Sequence, residues 1–155
     1  MSAEAHTRRD RGGANTEAVE DYAKTIYALA ARESGPVGTS ALAAMLGVSP
    51  GTVTSMLKRM AEGGLVEYEP YHGVRLTAAG ERVALEVIRH HRLLELYLAE
   101  TLGIAVDDVH DEADRLEHAL SDELEERIDK ALGFPTHDPH GDPIPNANLE
   151  WPKEG

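Results

Sequence analysis

The segment His110-Asp111-Glu112-Ala113-Asp114-Arg115-Leu116-Glu117-His118 carries imidazole and carboxylate groups at helical spacing. On a helix, Asp114, Glu117 and His118 fall at i, i+3 and i+4 and share one face, with His110 one turn before Asp114. Upstream, His91 and Glu95 are again i and i+4. Two helices would then present oxygen and nitrogen donors together. Such donors, without thiolate, suit Mn²⁺, Fe²⁺, Co²⁺ or Zn²⁺, with geometry and supply deciding among them. The competing reading is a solvated acidic helix with surface histidines. The chain has no cysteine, which excludes disulfides, thiolate zinc sites and cysteine nucleophiles.

A second chemistry is written earlier. Gly47-Val48-Ser49 separates two short amphipathic runs, Thr39–Leu46 and Pro50–Ala61. A helix, a glycine-containing turn, a second helix and then a hairpin is the order of a winged helix-turn-helix. Val48 is expected to pack inward between the two helices. Val53, Met56, Leu57 and Met60 form the apolar stripe of the second helix. Ser49, Thr52, Thr54, Ser55, Lys58 and Arg59 remain for base edges and phosphates, with His72 and Arg75 of the hairpin reaching the adjacent backbone. Few of these groups are basic, so one copy would bind weakly, and a homodimer is the natural expectation.

These groups need elements to hold them. The 155 residues suffice for one ordinary domain or two small ones, and 41% hydrophobic residues allow a packed core. Residues 1–16, with Arg8, Arg9 and Arg11, read as a disordered basic arm. Apolar residues at Val19, Tyr22, Ile26 and Leu29 predict a helix over 17–33. Val66 and Val74 sit in two short strands, 65–69 and 74–77, and Thr77 caps a long helix from 78 to about 102. Helices over 106–118 and 121–132 follow, then a proline-rich, largely irregular tail from 133. The expected fold is mainly α: a winged helix-turn-helix domain over 17–77, a helical metal-binding and dimerisation domain over 78–147, and a tail over 148–155. Leu93, Leu96, Leu98, Leu102, Leu116 and Leu120 are candidates for the dimer surface, with plain core packing an equal claim.

Charge divides along the same line. Residues 1–92 carry 11 basic and 11 acidic side chains, whereas residues 93–155 carry 4 and 17. The acidic half suits a handler of cations, and the neutral half is free to meet an anion. No apolar run is long enough to span a membrane, and no signal core opens the chain, so a cytoplasmic protein is expected.

Several stretches together resemble the diphtheria-toxin-repressor family of metal-dependent transcriptional repressors. They are Glu20–Tyr27, Val53–Met60, His91-Arg92-Leu93-Leu94-Glu95, Val109–His118 and Asp142-Pro143-Ile144-Pro145. The resemblance runs over about residues 17–147. It implies a homodimer that binds palindromic operators as a repressor when loaded with Mn²⁺ or Fe²⁺. It implies a primary metal site at Asp21, Asp114, Glu117 and His118 and an ancillary site at His91, Glu95 and His110. Iron-type members carry methionine and cysteine where Asp21 and Asp114 stand, and harder oxygen ligands favour manganese. Lys24 occupies the place of a glutamate that members with two adjacent manganese ions use. The chain ends before the SH3-like domain of the larger members, which reads as a short manganese-type member or a shortened chain.

Three other classes compete: a metallohydrolase, a winged-helix regulator answering a small organic ligand, and a metal carrier. The first lacks the His-x-x-Glu-His pattern and a spare base, so a non-enzyme is expected. Aromatic residues at 5% disfavour a large aromatic pocket for the second. Chelator-sensitive operator binding separates all three from a metal-dependent repressor.

Overall fold

A computed structural model describes residues 14–153. The proposed arm lies outside these residues except at 14–16, which already belong to the first helix. The described chain forms two compact units, Ala14–Ala84 and the residues from Leu85 onward.

The first unit opens with α1, Ala14–Arg32, three residues earlier than the apolar spacing indicates. Then come α2, Thr39–Leu46, and α3, Pro50–Glu62, and an antiparallel hairpin of β1, Val66–Glu69, and β2, Gly73–Leu76. Gly47 closes α2 in the left-handed region at φ 68°, which only glycine adopts without strain, and the Val48 amide returns to the Ala43 carbonyl at 3.1 Å. Ser49 starts α3: its hydroxyl accepts the Thr52 amide at 3.1 Å, and Pro50 fills the first turn. Val37 bridges to Val74 and so ties the loop before α2 to the hairpin. The core gathers Tyr22, Ile26 and Leu29 from α1, Leu42 from α2, Val53, Leu57 and Met60 from α3, and Val66 and Val74 from the strands. Val48 does not join it. The side chain expected to pack between the helices is 37% exposed on the turn that Gly47 makes, and the core there is built from Leu42 and Ala43 instead.

The long helix α4, Ala78–Glu100, starts at the Thr77 cap, whose hydroxyl accepts the Gly80 amide at 3.1 Å and donates to the Gly64 carbonyl at 2.7 Å. This seats the helix start so closely on the preceding loop that a Cβ on Gly80 would lie 2.0 Å from the Leu65 carbonyl oxygen. Backbone cannot yield that distance cheaply. Gly80→Ala is therefore expected to cost about 3 kcal/mol of unfolding free energy. A urea melt checks this, and an unchanged midpoint would contradict the packing.

The second unit holds the rest of α4 with α5, Val106–Leu116, and α6, Asp122–Ala131. Its core is Leu93, Leu94, Leu96, Ala113, Leu120, Ile128 and Ile144. Leu98 is buried as well, whereas Leu102 and Leu116 are exposed, so most of the leucines offered for a dimer surface are inside the chain's own fold and two are not. The tail is irregular, as its prolines imply, but it is fastened: Ile144 is core, and its amide bonds the Thr136 carbonyl at 2.8 Å. Among the described residues no single helix is long and apolar enough to cross a membrane.

Candidate metal and DNA sites

The DNA-facing candidates lie on α3 and the hairpin. Burial of Val53, Leu57 and Met60 turns Ser49, Thr52, Ser55, Lys58 and Arg59 outward, while Thr54 is half-buried. The Ser49 and Thr52 hydroxyls sit 2.8 Å apart, engaged with each other at the helix cap. His72 and Arg75 are exposed on the hairpin, and Arg75 faces Glu67 across the strands. Tyr71 at the tip is fully exposed, in the left-handed region at φ 69°.

The metal candidates of the second unit converge around one ring. His91 Nδ1 lies 2.5 Å from Glu117 Oε1 and 3.3 Å from Asp114 Oδ1. Its Nε2 lies 3.3 Å from Glu95 Oε2 and 3.1 Å from His110 Nδ1. His110 closes the ring, with Nε2 3.3 Å from Asp114 Oδ2 and Nδ1 3.6 Å from Glu95 Oε2. Helical spacing on α4 and α5 produces this convergence, because each contributes residues one turn apart. Glu117 and His118 follow directly on α5, and His118 Nε2 is 3.5 Å from Glu117 Oε2. Asp21 lies half-buried on α1, where its carbonyl accepts the Thr25 hydroxyl at 2.8 Å.

Burial pushes the His91 pKa down, but hydrogen bonds to Glu117 and Glu95 and their charges outweigh it, raising His91 from 6.5 to about 9. The imidazolium thus stands among carboxylates as a cation would. A metal ligand must be neutral imidazole, so a cation binding His91 displaces a proton. Affinity is expected to rise with pH from 6 to 8, by up to about tenfold per unit, as that proton becomes easier to remove. Calorimetry of Mn²⁺ binding in two buffers of different ionisation enthalpy reads the released proton directly. Zero release at pH 7 would contradict the arrangement.

Sequence reasoning missed a second cluster. Glu95 Oε2 also faces the tail, 3.8 Å from His140 Nδ1, and His140 Nδ1 is 3.7 Å from Asp138 Oδ2. Ligand atoms of Glu95, Asp138 and His140 all lie within 4.8 Å of one another, as do those of His91, His110 and Asp114. Asp138 is buried. Its Oδ1 accepts the His140 and Asp142 amides at 2.8 and 2.9 Å, while Oδ2 is buried without a hydrogen-bond partner. Burial raises the Asp138 pKa, and facing Glu95 raises it further against the two amides. Burial also pushes Glu95 up, but the His91 hydrogen bond and charge prevail and lower it. Two facing carboxylates need a shared proton or a cation. The orphaned oxygen and the purely oxygen-and-nitrogen donor set fit a first-row divalent ion. The sequence signal was there in Asp138-Pro139-His140-Gly141-Asp142, a dense run of ligand types, but an irregular segment offers no periodicity to place it.

A third cluster joins α4 to α6, where His90, Asp122 and Glu125 also bring ligand atoms within 4.8 Å of one another. Buried Arg89 pairs with Glu125 and, at 2.9 Å, with Asp129 Oδ2, while His90 Nε2 meets Glu125 Oε2 at 2.5 Å.

Comparison with known proteins gives the same division. Residues 15–74 match the sequence model of the iron-dependent repressor N-terminal DNA-binding domain, and residues 77–146 match that of the iron-dependent repressor metal-binding and dimerisation domain. An uncharacterized HTH-type transcriptional regulator of Methanocaldococcus jannaschii is 38% identical over 113 residues, covering 73% of this chain and 90% of the relative. The diphtheria toxin repressor of Corynebacterium efficiens is 40% identical over 130 residues, covering 83% of this chain and 56% of its own length. A solved manganese-dependent transcriptional repressor in complex with manganese superposes with a TM-score of 0.79 at 47% identity, over 88% of this chain and 62% of that one. The chain thus spans little more than half the length of that diphtheria toxin repressor.

Proposed function

Because the chain belongs to the iron-dependent repressor family, we propose that it is a transcriptional repressor that binds operator DNA as a homodimer when loaded with Mn²⁺ or Fe²⁺. The observation that carries this is the pairing of a winged helix-turn-helix with a ring of carboxylate and imidazole groups around His91. The all-oxygen-and-nitrogen donor set accommodates manganese, and a manganese-dependent repressor is among the similar structures.

Asp114, Glu117 and His118, with Asp21 from α1, are proposed as the activating site, on the strength of the family motif. His91, Glu95 and His110, together with Asp138 and His140, are proposed as the ancillary ligands. When bound, the cation supplies positive charge that neutralises these carboxylates. Without it, the protonated His91 offsets only part of their negative charge. Asp21 sits on the helix that packs beneath α2 and α3 through Tyr22, Ile26 and Leu29, so holding Asp21 steadies the reading head. Two recognition helices must enter successive major grooves about 34 Å apart, which a loosely held head does only part of the time. Ser55, Lys58 and Arg59 then face the duplex, and the two basic groups hold phosphates.

Footprinting on genomic fragments selected with Mn²⁺ tests the reading. Two protected half-sites about 10 base pairs apart, or a multiple of that, are expected, vanishing with chelator. A single protected patch that survives chelation would overturn it.

A further inference from the structure

The ancillary ligands Asp138 and His140 stand on a segment with no helix or strand of its own, so something else must hold them against Glu95. We propose that Arg89 and Arg92 are positioning residues that latch this segment along α4 and thereby assemble the Glu95–Asp138–His140 cation site. The proposal rests on the metal-binding reading given above.

The latch is made of backbone carbonyls. Arg89 Nη1 donates to the Pro145 carbonyl at 2.9 Å, and Arg92 Nη1 donates to the Pro143 carbonyl at 2.6 Å. The residue between those carbonyls, Ile144, is buried in the core. Arg89, Arg92 and Glu95 follow at three-residue intervals on α4, so the residues that hold the segment and the residue that meets its ligands are neighbours on one helix. From Thr136 to Ile144 the segment is a closed loop. The Ile144 amide bonds the Thr136 carbonyl at 2.8 Å, and the Asp138 amide bonds the Asp142 carbonyl at 2.9 Å. The arginines grip this loop at its base, and Asp138 and His140 occupy its far end.

Each arginine is itself fixed. Glu125 and Asp129 on α6 hold Arg89, leaving Nη1 aimed at the tail. The Arg92 guanidinium lies 5.7 Å from the ring centroid of Trp151, the chain's one tryptophan. Prolines at 143 and 145 restrict the backbone they latch. A cation bound to Glu95, Asp138 and His140 would pull the loop toward α4 from one end while the arginines hold the other. Binding and latching therefore favour each other, by the same factor in both directions.

The full chain tests this with Mn²⁺ titrated by calorimetry, hydrogen exchange at Ile144, and Trp151 fluorescence in the metal-free protein. Asp138→Ala is expected to remove one class of Mn²⁺ site. Arg92→Met should weaken that class about tenfold and leave the other class within about twofold. It should also speed exchange at the Ile144 amide and shift Trp151 emission to the red. Arg92→Lys, which keeps one donor for the Pro143 carbonyl, should recover most of the affinity, which a merely structural defect would not show. Arg89→Met is the harsher variant, read where its melt shows a folded chain. Wild-type affinity in Arg92→Met overturns the latch. Unchanged stoichiometry in Asp138→Ala overturns the cation site beneath it, and with it the proposal, through a different variant.

Discussion

Asp114→Ala and His118→Ala are each expected to remove the metal stimulation of operator binding while leaving the dimer intact. Effector coupling is commonly about 5–150-fold in affinity, and in these variants the ratio between metal-loaded and chelated protein should fall to about one. The choice of residues matters. Glu117 belongs to the same proposed site, but its side chain is fully buried against His91, so its removal disturbs packing as well as ligation. The Asp114 side chain is 45% exposed, and its loss leaves the core residues Ala113 and Leu120 in place. Gel-shift or anisotropy titrations with Mn²⁺ and with chelator read the ratio, and sedimentation reads the dimer. A variant whose metal response equals that of the wild type would remove Asp114 or His118 from the site.

Arg89→Ala is expected to lower the unfolding free energy by about 3–5 kcal/mol, because it takes the guanidinium from two largely buried carboxylates, leaving Glu125 with His90 and Asp129 unpaired. Whole domains unfold with only about 5–15 kcal/mol, so the variant is close to the limit of folding. Burial pushes the Glu125 pKa up, but His90 and Arg89 overcome it and hold the carboxyl below its usual value. A group with a depressed pKa contributes stability above its unfolded pKa and loses it as pH falls through the folded value. The difference between wild type and Arg89→Ala should therefore be full at pH 7 and shrink in acid, as pH falls through the depressed folded value of Glu125. Adding Glu125→Gln and Asp129→Asn to Arg89→Ala should recover part of the loss, since no unpaired charge is then left inside. Denaturant melts at pH 7 and in acid check this. A loss under 1 kcal/mol at pH 7 would mean that water already satisfies these groups.

Much of the fold was legible because punctuation and period agreed. Gly47, Pro50, Thr77 and the stripe of Val53, Leu57 and Met60 mark the winged helix-turn-helix, and the structure places its elements within a few residues of those marks. The convergence of carboxylate and imidazole groups around His91 was legible for a related reason: on a helix, spacing is geometry, so His91 with Glu95 and His110 with Asp114 had to share faces. Val48 was misread because hydrophobicity says nothing about direction in a turn. The leucines of the second unit were ambiguous because core and interface use the same chemistry. Asp138 and His140 escaped because their placement depends on carbonyl contacts from Arg89 and Arg92, and no residue pattern encodes a backbone acceptor.

The most direct measurement is the affinity of the full chain for a selected operator, titrated anaerobically with Mn²⁺, Fe²⁺ or Zn²⁺ and again with chelator at one fixed salt concentration. Salt must be fixed because phosphate contacts make affinity fall steeply with it. The expected result is tight, saturable binding with metal and only weak, sequence-independent binding without. Equal affinity in the two conditions would contradict a metal-activated repressor.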